Sequence, residues 1–234
     1  MWPLFRTGAA GSVALLSLGL GRRDATPMAW GREPVPQVAE STIALPEPVD
    51  RTGVTLREAF ERRRSVRSFA DRRLTASEIS LLLWSAQGIT HPDGYRTAPS
   101  AGALYPLELY LATAEGWHRY RPRGHRLSLL SRADLRESLR RAALGQEPVG
   151  AAPAVFVVTA VYRRTALKYG EERAERYARI EAGHAAQNLL LQAAALGLGA
   201  VPVGAFDDTE VARALGLPGG EAPLYLIPVG EPRR

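Results

Sequence analysis

The stretch "EAGHAAQNLLLQAAALGLGAVPVGAF", residues 181–206, decides how the chain folds. Leu189, Leu190, Ala193 and Leu196 recur at helical spacing and form a core face. His184, Gln187, Asn188 and Gln192 fall at three- and four-residue intervals and form a polar stripe. Gly197, Gly199 and Gly204 follow, where backbone can approach a neighbour or a ligand closely. A helix of about 172–196 that turns directly into a strand calls for a sheet to pack against.

Working outward, the same alternation of helices and strands continues. "APLYLIPVG" (222–230) reads as a last strand, and Asp208 or Thr209 caps a short helix running to Leu215. Upstream, "AVFVVTAV" (154–161) is a continuous apolar run, as in a strand buried on both faces. A helix spans about Asp134 to Leu144. "WHRYRPRGHRLSLL" reads as a hairpin with a Pro-Arg-Gly turn. Its histidines, His118 and His125, lack metal-ligand neighbours and read as surface residues. Leu107–Thr113 is a strand after Pro106. "LTASEISLLLWSAQGI" is a helix whose Thr75 and Glu78 make a capping box and whose stop is Gly88. "VTLREAFERRRS" opens the folded part near Val54, with Leu56, Ala59 and Phe60 at helical spacing. Mixed helices and hairpin-linked strands point to α+β rather than a regular βαβ array.

Residues 31–53 carry Pro34, Pro36, Pro46 and Pro48 and read as an extended connector. Before them, Gly8–Leu20 is an apolar run of 13 residues, short of the roughly 20 that span a bilayer. Residues 1–30 therefore read as an apolar leader or tail, with export or membrane contact as the alternative to a cytoplasmic protein. The domains are then 1–30, 31–53 and 54–234.

The chain has 234 residues, is 46% hydrophobic and carries a net charge of +6. The basic excess suits anionic small molecules or phosphates and matches no nucleic-acid module. No cysteine is present, which excludes disulfides, thiolate zinc sites and dithiol redox chemistry. Walker A, G-x-G-x-x-G and G-x-S-x-G motifs are absent, and no metal site is expected.

Three places could carry chemistry. In "ERRRSVRSF" (61–69), Arg63, Ser65 and Arg67 alternate just after a helix, so an extended chain puts them on one face. Two guanidiniums and a hydroxyl suit a phosphate; equally, cations there could complement a helix C-terminus. In "APSAGALYP" (98–106), small residues permit a flat ligand to meet the backbone, or simply make a glycine loop. Finally, "TALKYGEER" (165–173) holds Lys168, the only lysine beside 29 arginines. An amine can lose its proton when desolvated and arginine cannot, but a chain this poor in lysine could carry one by accident.

In order, "RRSVRSF", "LLLWSAQGIT", "RTAPSAGALYPLELY" and "LKYGEERAERYARIEAGHAAQNLLLQAAALGLGAVPVGAF" resemble the flavin-dependent nitroreductase family. They resemble most its SagB/ThcOx-type dehydrogenase branch, which oxidises azoline rings in peptides. The resemblance covers about residues 50–230. It implies a central, mostly antiparallel sheet flanked by helices in an intertwined homodimer, with FMN at the interface. It further implies that Arg63 and Ser65 hold the FMN phosphate side and that Arg67 lies near the N1/O2 edge, where a cation stabilises anionic flavin. Pro99, Ser100, Ala101 and Gly102 match the loop reaching the flavin from the partner subunit. Val203, Gly204 and Ala205 match the segment near N5. Lys168 and Tyr169 match an adjacent Lys-Tyr pair associated with catalysis, with Lys168 as base and Tyr169 as proton relay or orienting group. One departure is "GALYP", where typical nitroreductases have an Asn-containing loop ending in Gln-Pro-Trp. A second is that only Arg233 and Arg234 could supply the basic C-terminal residues often found on the phosphate.

The expected activity is removal of two hydrogens from a small-molecule or peptide substrate such as an azoline, with hydride transfer to flavin N5. The alternative runs the other way: NAD(P)H, binding transiently, reduces FMN, which reduces a nitro compound or quinone. An alternative of another class is a flavin-free binding scaffold.

Overall fold

The computed structural model describes residues 41–233. The leader, the connector up to residue 40 and Arg234 lie outside the described residues.

A seven-stranded sheet organises the molecule, in the order β1-β4-β3-β2-β5-β7-β6, and every strand pair is antiparallel. The strands are β1 (Thr42–Ala44), β2 (Leu107–Thr113), β3 (Gly116–Arg121), β4 (Arg126–Ser131), β5 (Ala154–Val161), β6 (Gly199–Ala200) and β7 (Glu221–Gly230). The helices are α1 (Leu56–Arg62), α2 (Ala76–Gln87), α3 (Arg136–Ala142), α4 (Glu147–Ala151), α5 (Arg163–Tyr169), α6 (Glu171–Ala195) and α7 (Asp208–Leu215). Thr42–Ala44 of the connector thus adds an edge strand.

The central strands sort their side chains by parity, as a pleated sheet must. Leu109, Leu111, Phe156 and Val158 face α2 and α6, whose Leu82, Leu83, Ala182, Ala185 and Leu189 complete one core. Tyr110, Ala112, Val155 and Val157 face the other way, onto Leu139 of α3, Val149 of α4 and Val211 and Leu215 of α7. Helices therefore cover both faces, which explains why β5 reads as an unbroken apolar run. On the second face Tyr110 stacks on Trp117, 4.7 Å between ring centroids. Pro223 cannot donate to the ladder, and the β5–β7 register shifts beside it, between Val158 and Thr159.

Caps fall largely where the sequence puts them. Thr75–Glu78 is a full capping box, and so is Thr55–Glu58 at the start of α1. Asp207, one residue before the expected caps, accepts from the Glu210 amide at the start of α7.

Two expectations, both on histidines, are corrected. His118 is 6% exposed, its Nδ1 finds no partner among the described residues, and burial lowers its pKa. His125 is not a free surface group, because Ser80 Oγ and Tyr120 Oη lie 2.7 and 2.8 Å from its ring nitrogens. On α1 only Ala59 is buried; Leu56 is 64% and Phe60 55% exposed. Among the described residues no helix is long and apolar enough to cross a membrane.

Candidate active site

The sequence-predicted residues gather in two regions, and among the described residues no hydrogen bond or ion pair joins one region to the other.

The first lies at the β6 edge. The chain leaves α1 at Arg63, whose amide caps the helix on the Ala59 carbonyl. It then runs beside β6: Ser65 pairs in parallel with Ala200, and the Val66 amide donates to the Ala200 carbonyl over 3.0 Å. Gly199 makes this approach possible, since a Cβ there would stand 2.6 Å from Val66 Cβ. Arg63 and Val66 are half-buried, while Arg64, Ser65, Arg67 and Ser68 are exposed. Arg64, rather than Arg63 or Arg67, serves the helix terminus, donating to the Glu61 carbonyl over 2.8 Å. Arg57 and Arg62 pair with Glu61 and Glu58. Among the described residues Arg63 and Arg67 have no carboxylate partner, which leaves their charge available to the α1 C-terminus or to a ligand.

Val203 is anchored beside them by reciprocal backbone bonds with Leu226, 2.8 and 3.0 Å. Gly204 and Ala205 are exposed. A Cβ on Gly204 would meet only Tyr225, at 3.8 Å, so the space above it is open. Phosphate-type donors and a small-residue backbone surface thus share one edge.

The second region is the loop Pro99–Tyr105 with the end of α5. Asn188, from the polar stripe of α6, donates to the Thr97 carbonyl, which explains why that helix is polar there. Ser100 Oγ accepts from the Tyr105 amide over 2.9 Å. Gly102, Ala103 and Tyr105 have φ of 62°, 54° and 47°. For Ala103 and Tyr105 the left-handed region costs about 1–2 kcal/mol each. Lys168 and Tyr169 end α5 and reach this loop: a Cβ on Gly102 would stand 2.8 Å from Tyr169 Oη and 3.0 Å from Lys168 Nζ. Gly102 therefore leaves room for both groups. Tyr169 is fixed edge-on by Tyr177, 5.2 Å between centroids. Lys168 itself is exposed.

Glu181 lies beneath the loop, 2% exposed. Burial pushes its carboxyl up to about 7, opposed by Ser100, Arg96 and Gln87. Its Oε1 has no partner among the described residues. Arg96 in turn donates to Gln87 Oε1 over 2.7 Å and lies 4.5 Å from the Tyr105 ring centroid. Sequence reading missed this group. The available signal was phase, because Glu181 sits in the buried stripe of α6 with Ala178, Ala182 and Ala185.

With this geometry in place, comparison with known proteins is direct. Residues 60–231 match the model of the nitroreductase family. The chain belongs to the nitroreductase family. A relative in Methanocaldococcus jannaschii, named as a nitroreductase, is 41% identical over 195 residues, 81% of this chain and 96% of its own. A crystal structure of a Ralstonia eutropha protein, also named as a nitroreductase, superposes with a TM-score of 0.76 at 33% identity, covering 84% of this chain and 92% of that one. The fold alone is shared, at 22% identity and a TM-score of 0.59, with the NADPH:FMN oxidoreductase of Vibrio harveyi, solved with NAD+; 76% of this chain and 69% of that one are covered.

Proposed function

We propose that this nitroreductase-family chain is an FMN-dependent oxidoreductase that works as a homodimer and dehydrogenates a substrate in the manner of the SagB/ThcOx branch. The observation that carries the flavin assignment is the β6 edge. There the Ser65–Ala200 bridge sets the Arg63–Arg67 segment, whose two arginines have no carboxylate partners among the described residues, along the strand edge that runs on through Val203 to the exposed Gly204 and Ala205. Guanidinium forks and a hydroxyl fit a phosphate monoester, and small residues fit the flat ring. When bound, FMN supplies a two-electron acceptor.

Dimerisation is supported by the separation of the two regions and by the exposed Leu56 and Phe60 on the helix leading into Arg63. A second copy covering α1 would bring its Pro99–Gly102 loop, with Lys168 and Tyr169 against it, to the first copy's β6 edge. Lys168 then removes a proton from the substrate atom next to the carbon being oxidised. Tyr169 Oη, beside the same glycine, orients the substrate or passes the proton on. A neutral amine requires Lys168 out of water, and a single chain leaves it exposed, so the partner and the substrate must supply the cover.

A second activity, reduction of a nitro compound or quinone at the expense of NAD(P)H, is favoured by the names of the relatives. Steady-state NAD(P)H oxidation by the purified protein separates the two. Slow NAD(P)H turnover with fast azoline oxidation supports dehydrogenation; the reverse overturns it. A protein indifferent to FMN would point to the flavin-free scaffold.

A further inference from the structure

On the far side of the Pro99–Tyr105 loop lies a hollow of about 670 Å³, walled by Ala103–Tyr105, the β3–β4 hairpin and the first turn of α5. Its charge sets it apart. On several helices arginines are matched by nearby glutamates: Arg57 by Glu61, Arg140 by Glu137, Arg179 by Glu175, Arg213 by Glu210. Arg96, Arg119, Arg123, Arg126 and Arg164 all line the hollow, and among the described residues the only carboxylates in its lining are Glu108 and Asp93.

Glu108, 9% exposed, is already engaged. It pairs with Arg119 over 2.7 Å and with Arg164. The groups that the Arg96 guanidinium touches are neutral, the Gln87 amide and the Tyr105 ring. Arg123 and Arg126, exposed at the hairpin turn, have no carboxylate partner among the described residues. One buried anion thus fixes the two floor arginines in place, while the rim stays cationic. A low-dielectric concave wall concentrates such a potential.

We propose that this hollow is a binding site for a multiply ionised oxyanion, a phosphate or a cluster of carboxylates, carried on a small molecule. Guanidinium forks on three sides suit paired oxygens. Its position also orients a ligand. Arg164 donates to the Tyr105 carbonyl over 3.0 Å and precedes Lys168 by one turn of α5. The rest of a molecule seated here would extend along the loop toward Gly102 and the Lys168–Tyr169 pair.

The test is calorimetric titration of the full-length protein with inorganic pyrophosphate and with citrate, at low and at raised salt. Wild type should bind at least one of them with an affinity that falls as salt rises. The double variant Arg123→Glu/Arg126→Glu changes an exposed turn residue and the exposed first residue of β4 and should lose tenfold or more. Tighter pyrophosphate binding would assign a phosphate-bearing ligand; tighter citrate binding, a polycarboxylate. The variant Arg63→Ala/Arg67→Ala should still bind. Loss of binding in that variant but not in the hairpin variant would move the site to the β6 edge and overturn the proposal. Absence of binding to either anion would overturn it too. The titrations are run with FMN in excess, so that the phosphate-type donors of the β6 edge are already engaged and only the hollow is left to report.

Discussion

The β6 edge and the Pro99–Tyr105 loop are built on opposite principles. The β6 edge is inexpensive structure: one parallel bridge, a glycine that permits it, and exposed side chains in extended backbone. The loop is costly structure: two non-glycine residues in the left-handed region above a buried, half-satisfied carboxyl. Strain and buried ionisable groups persist where surrounding packing enforces them, and they concentrate at functional sites. On the proposed reading, the edge holds a cofactor through charge, whereas the loop fixes reacting groups in place.

If the edge works by charge, Arg63→Ala/Arg67→Ala should strip the flavin while leaving the fold intact. Two charge-assisted contacts are worth about 3–6 kcal/mol together, so FMN should be lost on gel filtration; full retention would break the comparison on that side. On the loop side, Lys168→Ala should keep FMN and slow substrate oxidation by about 10²–10⁴-fold, the usual weight of a general base. Lys168→Arg should fail equally in single-turnover assays, and an active Lys168→Arg would show that charge alone is needed.

Glu181 sharpens the contrast through pH. Its folded pKa, about 7, lies above its ordinary 4.5. The folded state therefore binds the extra proton, and stability is greatest below pH 4.5, declines as pH rises to 7 and levels off above it. The decline is about 3 kcal/mol at most. Thermal melts between pH 5 and 8 should show it in wild type and not in Glu181→Gln. A smaller effect belongs to Gly102→Ala. A Cβ there meets Tyr169 Oη at 2.8 Å with φ at 62°, for a cost of about 1–2 kcal/mol, read as a modest drop in melting temperature. The matching change at Gly204, where the space is open, should leave stability nearly unchanged.

The elements with strong periodicity are legible in the residues themselves. The α2 capping box, the β5 apolar run, the β3–β4 hairpin and the length of α6 all stand where the residues put them. Helix α4, only five residues, and α5, short and ending against a glycine, are not legible, since neither repeats its pattern long enough. His118 and His125 read as surface residues because no metal-ligand neighbours stand near them in sequence, yet His118 is buried and His125 is tied to Ser80 of α2 and the Pro46 carbonyl. Glu181 and the arginine-lined hollow are hidden for a different reason. Residues 96, 108, 119, 126 and 164 meet only through the sheet, and no local spacing records that.

The most direct measurement is the visible absorbance spectrum of the purified full-length protein, with its released cofactor identified. A yellow protein carrying about one FMN per chain, lost in Arg63→Ala/Arg67→Ala and kept in Lys168→Ala, is the predicted result. A colourless protein that added FMN does not reconstitute would contradict the assignment of the β6 edge.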